Sequence, residues 1–416
     1  MPILATVKTL IVIGGGAAGF FGAINAAQMS PGLKVTILEK SSQLLGKVKV
    51  SGGGRCNVTH ACFDPRELVT FYPRGERELL GPFNKFQPGD TIAWFAERGV
   101  ELKIEGDGRM FPITNLSQTI IDCFLTEAKK FDVVVKTQTG INSLQKNGSQ
   151  WEVTTTSGIF TTDYILMAAG SSNQIWELLK ESGHEIVEPV PSLFTFNIDD
   201  SRIKNHPGIS VPNAEVHFGK FFTSGPLLIT HWGLSGPAIL KMSALAAIEM
   251  NRLNYKTKIT INWDGSLDKS SFEKLLRDKR QSDPKKLVLS SAFANMPLPL
   301  WKSLLSDIPS ELKWADCNNE RIAFIAESVT KCEFDLTGKS TFKEEFVTAG
   351  GIELKEIDFR TMESRVLSDL YFAGEVLNID AVTGGFNFQA AWTTSWIAAS
   401  AIAKKADQIK STRLIG

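Results

Sequence analysis

A β-branched run, Thr9–Ile13, leads directly into Gly14-Gly15-Gly16-Ala17-Ala18-Gly19 and an Ala-rich, proline-free stretch over residues 17–28. No other feature of the chain restricts its fold so strongly. The run has the composition of a buried strand, and the alanines favour a helix that Pro31 and Gly32 then break. Residues 33–38 alternate as a second strand ending at Glu39. Strand, turn, helix and strand make a βαβ unit of about thirty residues. The glycines satisfy GxGxxG, and each has a physical task. Gly14 permits the tight turn, Gly16 lets a pyrophosphate approach the backbone, and Gly19 allows close strand–helix packing. The helix start offers free N–H groups and partial positive charge to phosphate. Glu39, twenty positions beyond Gly19, is placed to accept hydrogen bonds from ribose hydroxyls. It would repel a phosphorylated 2′ position, so the unit suits FAD or NAD better than NADP.

The chain has 416 residues, too many for one ordinary core. Its 45 Lys and Arg balance its 45 Asp and Glu, which argues against a nucleic-acid partner. The five cysteines, Cys56, Cys62, Cys123, Cys317 and Cys332, are scattered without a CxxC pair. They read as reduced thiols of a cytoplasmic protein, with no disulfide framework and no zinc cluster. The first ten residues lack the pattern of a secretory signal, and glycines interrupt residues 10–29, so neither an export signal nor a membrane span is expected.

Helices are expected over 91–98 and 116–130, and strands over 133–136, 150–156 and 161–169, the last running into Gly170. Short β runs fill 192–264, for example 193–198, 214–218 and 258–263. Charged, helically spaced residues with proline breaks occupy 268–329. The division expected is a dinucleotide-binding domain over 1–190 and 343–416, an inserted β domain over 191–264 and 330–342, and a helical subdomain over 265–329.

The choice between FAD and NAD turns on the far end of the chain. Leu370-Tyr371-Phe372-Ala373-Gly374-Glu375 reads as a buried strand ending in a glycine and an acid. Gly384-Gly385-Phe386-Asn387 follows, then a long helix over 388–404. NAD has little use for a second such element, whereas FAD needs its ribitol and isoalloxazine held beyond the pyrophosphate. Gly374 and Glu375 are placed for ribitol hydroxyls, and the helix start at 385–387 for the flavin carbonyl end. The loop Ser51-Gly52-Gly53-Gly54-Arg55-Cys56-Asn57, with Gly46-Lys47 before it, offers small residues to a flat ring or pyrophosphate, and Arg55 or Lys47 can offset phosphate charge. Cys56, without a neighbouring cysteine, reads as a packing thiol.

These segments resemble the BaiN/YhiN-type group of bacterial NAD(P)/FAD-dependent oxidoreductases. The resemblance rests on VIGGGAAG at 12–19, LEK at 38–40, SGGGRCNVTH at 51–60, GRMFP at 108–112, THWGLSGPA at 230–238, TAGGI at 348–352, TMES at 361–364 and FAGEVLNIDAVTGGFNFQAAW at 372–392. It implies an α/β fold: a Rossmann-like FAD domain interrupted by a β-barrel-like domain carrying a small helical one. The FAD contacts it implies are Gly14, Gly16, Ala17, Gly19, Glu39, Lys40, Gly46, Lys47, Gly54, Arg55 and Asn57, with backbone of Ile141 on the adenine side and Gly374, Glu375, Gly385, Phe386 and Asn387 at the flavin end. The chain departs from the group's pattern at Lys47-Val48, where Arg-Lys is usual, at His60, where Asn is usual, and in a shortened segment after Ala169.

Flavin chemistry is carried by the cofactor, so the chain need supply only binding, orientation and a proton. His231, in Thr230-His231-Trp232-Gly233, is the candidate acid/base, since that motif falls in the inserted domain where a substrate cleft is expected. Arg109 is equally suited to a substrate carboxylate or to stabilising its own turn. No second nucleotide fingerprint is evident, so NAD(P)H is expected only as a transient hydride donor. The expected activity is transfer of hydride or electrons between FAD and a small organic substrate. A flavoprotein of RNA modification and a non-catalytic flavin-bearing redox sensor are the alternatives.

Overall fold

A computed structural model describes residues 7–290, 292–293, 296–340 and 347–412, side chains of 409–412 excepted. The chain divides into two compact units, Met1–Pro189 with Val347–Gly416, and Val190–Phe346. The domain boundary expected at 342/343 lies outside the described residues.

The first unit is built on a seven-stranded sheet. Edge to edge it runs through Ile357–Asp358, Glu363–Ser364, Leu370–Phe372, Tyr164–Met167, Thr9–Ile13, Lys34–Leu38 and Val134–Lys136. The last five are parallel, and the first two pair antiparallel. Val12 stands opposite both Ile37 and Leu166 in this register. All three are fully buried, as the central strands of a sheet covered on both faces must be.

The helix Ala17–Met29 follows the first strand and is buried over nearly its whole girth. Much of that burial comes from the final helix, Phe386–Thr412, which packs along it. Ser395 Oγ donates to the Ala18 carbonyl (2.9 Å) where the two helices meet. Phe21, Trp94, Phe124 and Trp392 gather beneath, with the Phe21 ring 4.6 Å from Trp94 and 5.2 Å from Trp392. Several polar groups inside this core are paired. Trp392 Nε1 donates to the Val58 carbonyl (2.9 Å), and the hydroxyls of Thr59 (2.6 Å) and Thr91 (2.9 Å) donate to Gln389 Oε1. Truncating Phe21 to Ala here costs about 3–5 kcal/mol.

Residues 161–169 do not form the single strand that their apolar run predicts. Gly158–Thr162 closes a three-stranded antiparallel sheet with Ile141–Asn147 and Gln150–Thr155, and Tyr164–Met167 joins the main sheet. The break is at Asp163, whose carboxylate accepts from Lys8 Nζ (2.8 Å), Thr9 N (2.9 Å) and Thr9 Oγ1 (3.0 Å). Although burial opposes its charge, these bonds hold its pKa below the usual value. The glycine-rich loop at 51–57 is also more structured than expected. A helical segment, Gly46–Gly54, bends where Gly52 (φ +58) and Gly53 (φ +68) turn left-handed.

The second unit holds a seven-stranded sheet in the order Cys332–Leu336, Thr257–Asn262, Ser210–Phe218, Phe221–Thr230, Gly233–Ser235, Thr195–Asn197 and Gly338–Ser340, all antiparallel. The helix Pro237–Leu245 packs on it with Ala238, Ile239 and Met242 fully buried. Helices Lys269–Ser282, Leu298–Leu304 and Asn319–Thr330 complete the unit around Trp301, Trp314 and Phe272. Asp268 and Asn318 cap the first and last of these through backbone N–H groups. Among the described residues no helix is long and apolar enough to cross a membrane.

Candidate functional site

The glycine turn after Thr9–Ile13 is shaped by close approach. Gly14 has φ +111, and a Cβ there would lie 2.5 Å from the Ala168 carbonyl oxygen. A Cβ at Gly19 would lie 1.9 Å from the Gly14 carbonyl oxygen, so the helix can sit against the turn only with glycine at this position. Gly16, by contrast, faces open space. Behind the turn, Glu39 accepts from Gly15 N (2.7 Å) through one oxygen and from Ser41 N (2.8 Å) through the other. Each carboxylate oxygen keeps a lone pair for a further donor.

Three further segments converge on this turn. Leu45 N donates to the Gly15 carbonyl (2.9 Å), which brings Gly46 and Lys47 alongside. Gly46, Gly53 and Gly54 face open space. Gly374, at the end of Leu370–Phe372, seats on the fingerprint helix so closely that a Cβ there would be 2.9 Å from Ala18 Cβ. Its N–H donates to Thr394 Oγ1 of the final helix (3.0 Å). Lys47 Nζ then pairs with the Glu375 carboxylate and donates to Ser171 Oγ (3.2 Å). Lys40 lies against the 137–141 segment, where Thr139 N donates to the Glu39 carbonyl (2.8 Å) and a Cβ at Gly140 would lie 3.6 Å from Lys40 Cβ. The Ile141 carbonyl, expected on the adenine side, accepts from Gln174 Nε2 (3.0 Å).

Several side chains expected at the cofactor are committed to the chain itself. Arg55 Nη1 pairs with Glu105 (2.6 Å), and its guanidinium lies over the Phe111 ring (3.9 Å), so its charge is met inside the protein. In the amide orientation that satisfies both ends, Asn57 Oδ1 accepts from Gly385 N (2.9 Å), and its nitrogen donates to the carbonyls of Thr59 (3.1 Å) and Met110 (3.2 Å). Asn387 accepts from Ala381 N (3.0 Å) and donates to the Ala381 carbonyl (3.1 Å). Both asparagines therefore brace the start of the final helix instead of presenting their amides to a ligand. That helix starts at Phe386, two residues before the expected 388. Arg109 is held by Asp107 (2.7 Å) and Glu105 (3.4 Å), a turn-stabilising arrangement. Burial pushes the Cys56 thiol up to about 12, against a hydrogen bond from Ser51, so no thiolate is available there.

His60 Nε2 donates to the Asp107 carbonyl (3.1 Å), and its ring stacks on Phe386 at 4.5 Å. Burial first, against the nearby Asp107 and Glu67, lowers its pKa, which keeps the imidazole neutral near pH 7. His231 is exposed on the turn between Phe221–Thr230 and Gly233–Ser235 of the second unit. Sequence reasoning missed Ser171 and Thr394, which complete the surroundings of Lys47 and Gly374. Neither lies in a motif, and no local signal marks them.

An open-faced glycine turn at a helix start, an acid behind it and a C-terminal strand end seated beside it fit a dinucleotide cofactor. Open space lies where phosphate must approach, and Glu39 has acceptor capacity to spare. Fold and site together define a Rossmann-type oxidoreductase. The chain belongs to the HI0933-like family, whose Rossmann-domain profile matches residues 8–401. It is 27% identical over 418 residues to the ribosomal RNA dihydrouridine synthase of Haemophilus influenzae, covering 95% of this chain and 98% of that protein. It is 24% identical over 414 residues to the 3-dehydro-bile acid delta(4,6)-reductase of Clostridium scindens, again covering 95% and 98%. Its fold is similar to that of the 3-ketosteroid-delta4-(5alpha)-dehydrogenase of Rhodococcus jostii, with a TM-score of 0.52, 12% identity and coverage of 97% and 98%.

Proposed function

We propose that this chain is an FAD-dependent oxidoreductase that reduces a carbon–carbon double bond conjugated to a carbonyl in a small organic substrate. The observation that carries the reading is the convergence of the Gly14–Ala18 turn, Gly46-Lys47 and Gly374-Glu375, with Glu39 behind the turn and open space at Gly16 and Gly46. In this reading the backbone N–H groups at Gly16 and Ala17 take the pyrophosphate and Glu39 takes a ribose hydroxyl. Lys40 and Ile141 border the adenine side. Gly54, Lys47, Gly374 and Glu375 serve the middle of the cofactor. The backbone N–H groups of Phe386 and Asn387 serve the flavin end, and Gly385, whose own N–H is taken by Asn57, shapes the turn before them. When bound, the flavin supplies the hydride.

The substrate class is supported by the chemistry that two relatives' names share. One is named for making dihydrouridine in ribosomal RNA, the other for reducing a 3-dehydro-bile acid at delta(4,6). In uracil and in a 3-oxo steroid alike, the alkene reduced is conjugated to a carbonyl. Such a reduction adds one hydride and one proton, and the proton needs an acid. His231 is the candidate from this chain, by residue type and motif. NADH or NADPH is the proposed transient donor.

The dihydrouridine name carries a second reading, with uridine in RNA as the substrate. The even balance of 45 basic and 45 acidic residues supports the small molecule instead. The test is anaerobic bleaching of the purified flavoprotein by NADH and by NADPH, followed by reoxidation with a steroidal enone or with a uridine-containing ribosomal RNA fragment. Reoxidation by the enone alone is the expected outcome. Reoxidation by the RNA alone transfers the reading to RNA, and reoxidation by neither reduces the chain to a flavin-bearing sensor.

A further inference from the structure

Residues 71–75 lie against the loop that carries the chain from Gly374 to the final helix. Val382 N donates to the Phe71 carbonyl (3.0 Å). The Phe71 ring stacks on Phe386 at 4.2 Å and 11°, with the His60 ring also stacked on Phe386. The buried Tyr72 hydroxyl donates to the Phe386 carbonyl (2.6 Å). Gly75 is pressed so close to Ile379 that a Cβ would lie 2.8 Å from its side chain. Arg74 forms a backbone bridge with Asp380, and its guanidinium grips the Asp380 carboxylate through both Nε and Nη2. The Asp380 side chain is 0% exposed and that of Arg74 12%.

A buried ion pair of this kind contributes little net stability, because desolvation of both charges offsets their attraction. What it does contribute is orientation, since a planar guanidinium meets a carboxylate in one geometry only. The loop at 379–385 has no regular secondary structure of its own. Its position is set from outside, by residues 71–75 on one side and by the Asn387 amide on the other.

We propose that residues 71–75 form a clasp that sets the flavin-end loop, and that Arg74, acting through Asp380, is a positioning residue for the bound flavin. The clasp rests on the FAD reading above. It explains why a fork-shaped ion pair, and not an apolar contact, is buried beside the start of the final helix.

The test titrates apo-protein with FAD and follows flavin fluorescence, the visible flavin spectrum and the midpoint potential. The thermal midpoint of the apo-protein is measured in parallel. Two changes are compared with the parent: Arg74→Lys, which keeps the charge and loses the fork, and the paired Arg74→Gln, Asp380→Asn, which removes both buried charges and stays foldable if the single change does not. The expected result is a loss of FAD affinity of about tenfold with an altered flavin spectrum or potential, while the apo-protein melts near the parent temperature. Parent-like affinity, spectrum and potential in the folded variants overturn the clasp and leave the FAD reading standing. A lowered apo melting point with unchanged flavin properties overturns it as well, since the pair is then structural. A parent that takes up no FAD overturns both.

Discussion

Lys47 and Glu375, 328 residues apart in the chain, form an ion pair that joins the segment after the fingerprint unit to the end of the last parallel strand. Both side chains are partly exposed, so the pair contributes only modestly to stability. Its consequence is one of placement: the segments carrying Gly46 and Gly374 are tied together beside the open-faced turn. Lys47→Gln and Glu375→Gln should each weaken FAD retention. The paired Lys47→Gln, Glu375→Gln should lose less than the sum of the two single losses, by a coupling of about 0.5–1 kcal/mol. FAD dissociation constants for the four proteins measure it, and strictly additive losses would mean that the pair is incidental.

Glu39 braces the glycine turn and is also the proposed ribose contact. Glu39→Ala strands Gly15 N and Ser41 N without their acceptor and removes the proposed ribose contact. FAD affinity should fall by roughly 10- to 100-fold, the range for a hydrogen bond to a charged group, while far-ultraviolet circular dichroism stays that of the parent. Undiminished flavin content after purification would remove Glu39 from the site.

The Cys56 thiol is buried and pushed up to about 12. Its backbone, at φ +61, sits in the bend after Gly54. Native protein at neutral pH should therefore leave Cys56 unmodified by iodoacetamide, with alkylation by mass spectrometry appearing only on unfolding. Rapid labelling of folded protein at Cys56 is the contrary result.

Acid should weaken this fold in part through His60. Its folded pKa lies below the ordinary 6.5, because burial outweighs the Asp107 carbonyl and the carboxylates of Asp107 and Glu67. Between the folded and unfolded values the unfolded chain holds more protons, so stability rises with pH across that window and falls as pH drops through 6.5. His184 shifts in the same direction, again chiefly by burial. Denaturation midpoints at about pH 5 and about pH 8 should differ less in His60→Asn, whose amide can still donate to the Asp107 carbonyl. An unchanged difference would exclude His60 as a source.

The βαβ unit was legible because the Val and Ile run, the glycines and Glu39 are all local signals. The strand Ile141–Asn147 was not, because Ser143, Gln145 and Lys146 make it polar and it owes its state to pairing with Gln150–Thr155. The break at Asp163 was hidden inside an apolar run, since Lys8 and Thr9 impose it from more than 150 residues away. The glycine turn could be read at the site because backbone shape is written in glycine. The duties of Arg55, Asn57 and Asn387 could not, since their partners Glu105, Gly385 and Ala381 are fixed by tertiary structure.

The central sheet takes strands from both sides of the 190–346 insertion, and the final helix covers the fingerprint helix. A ribosome making this protein therefore releases the glycine turn well before its cover. The intervening unit, continuous in sequence, can condense while the earlier βαβ segment still waits for its lid. The glycine turn thus gains its cover only after the helix beginning at Phe386 has left the exit tunnel.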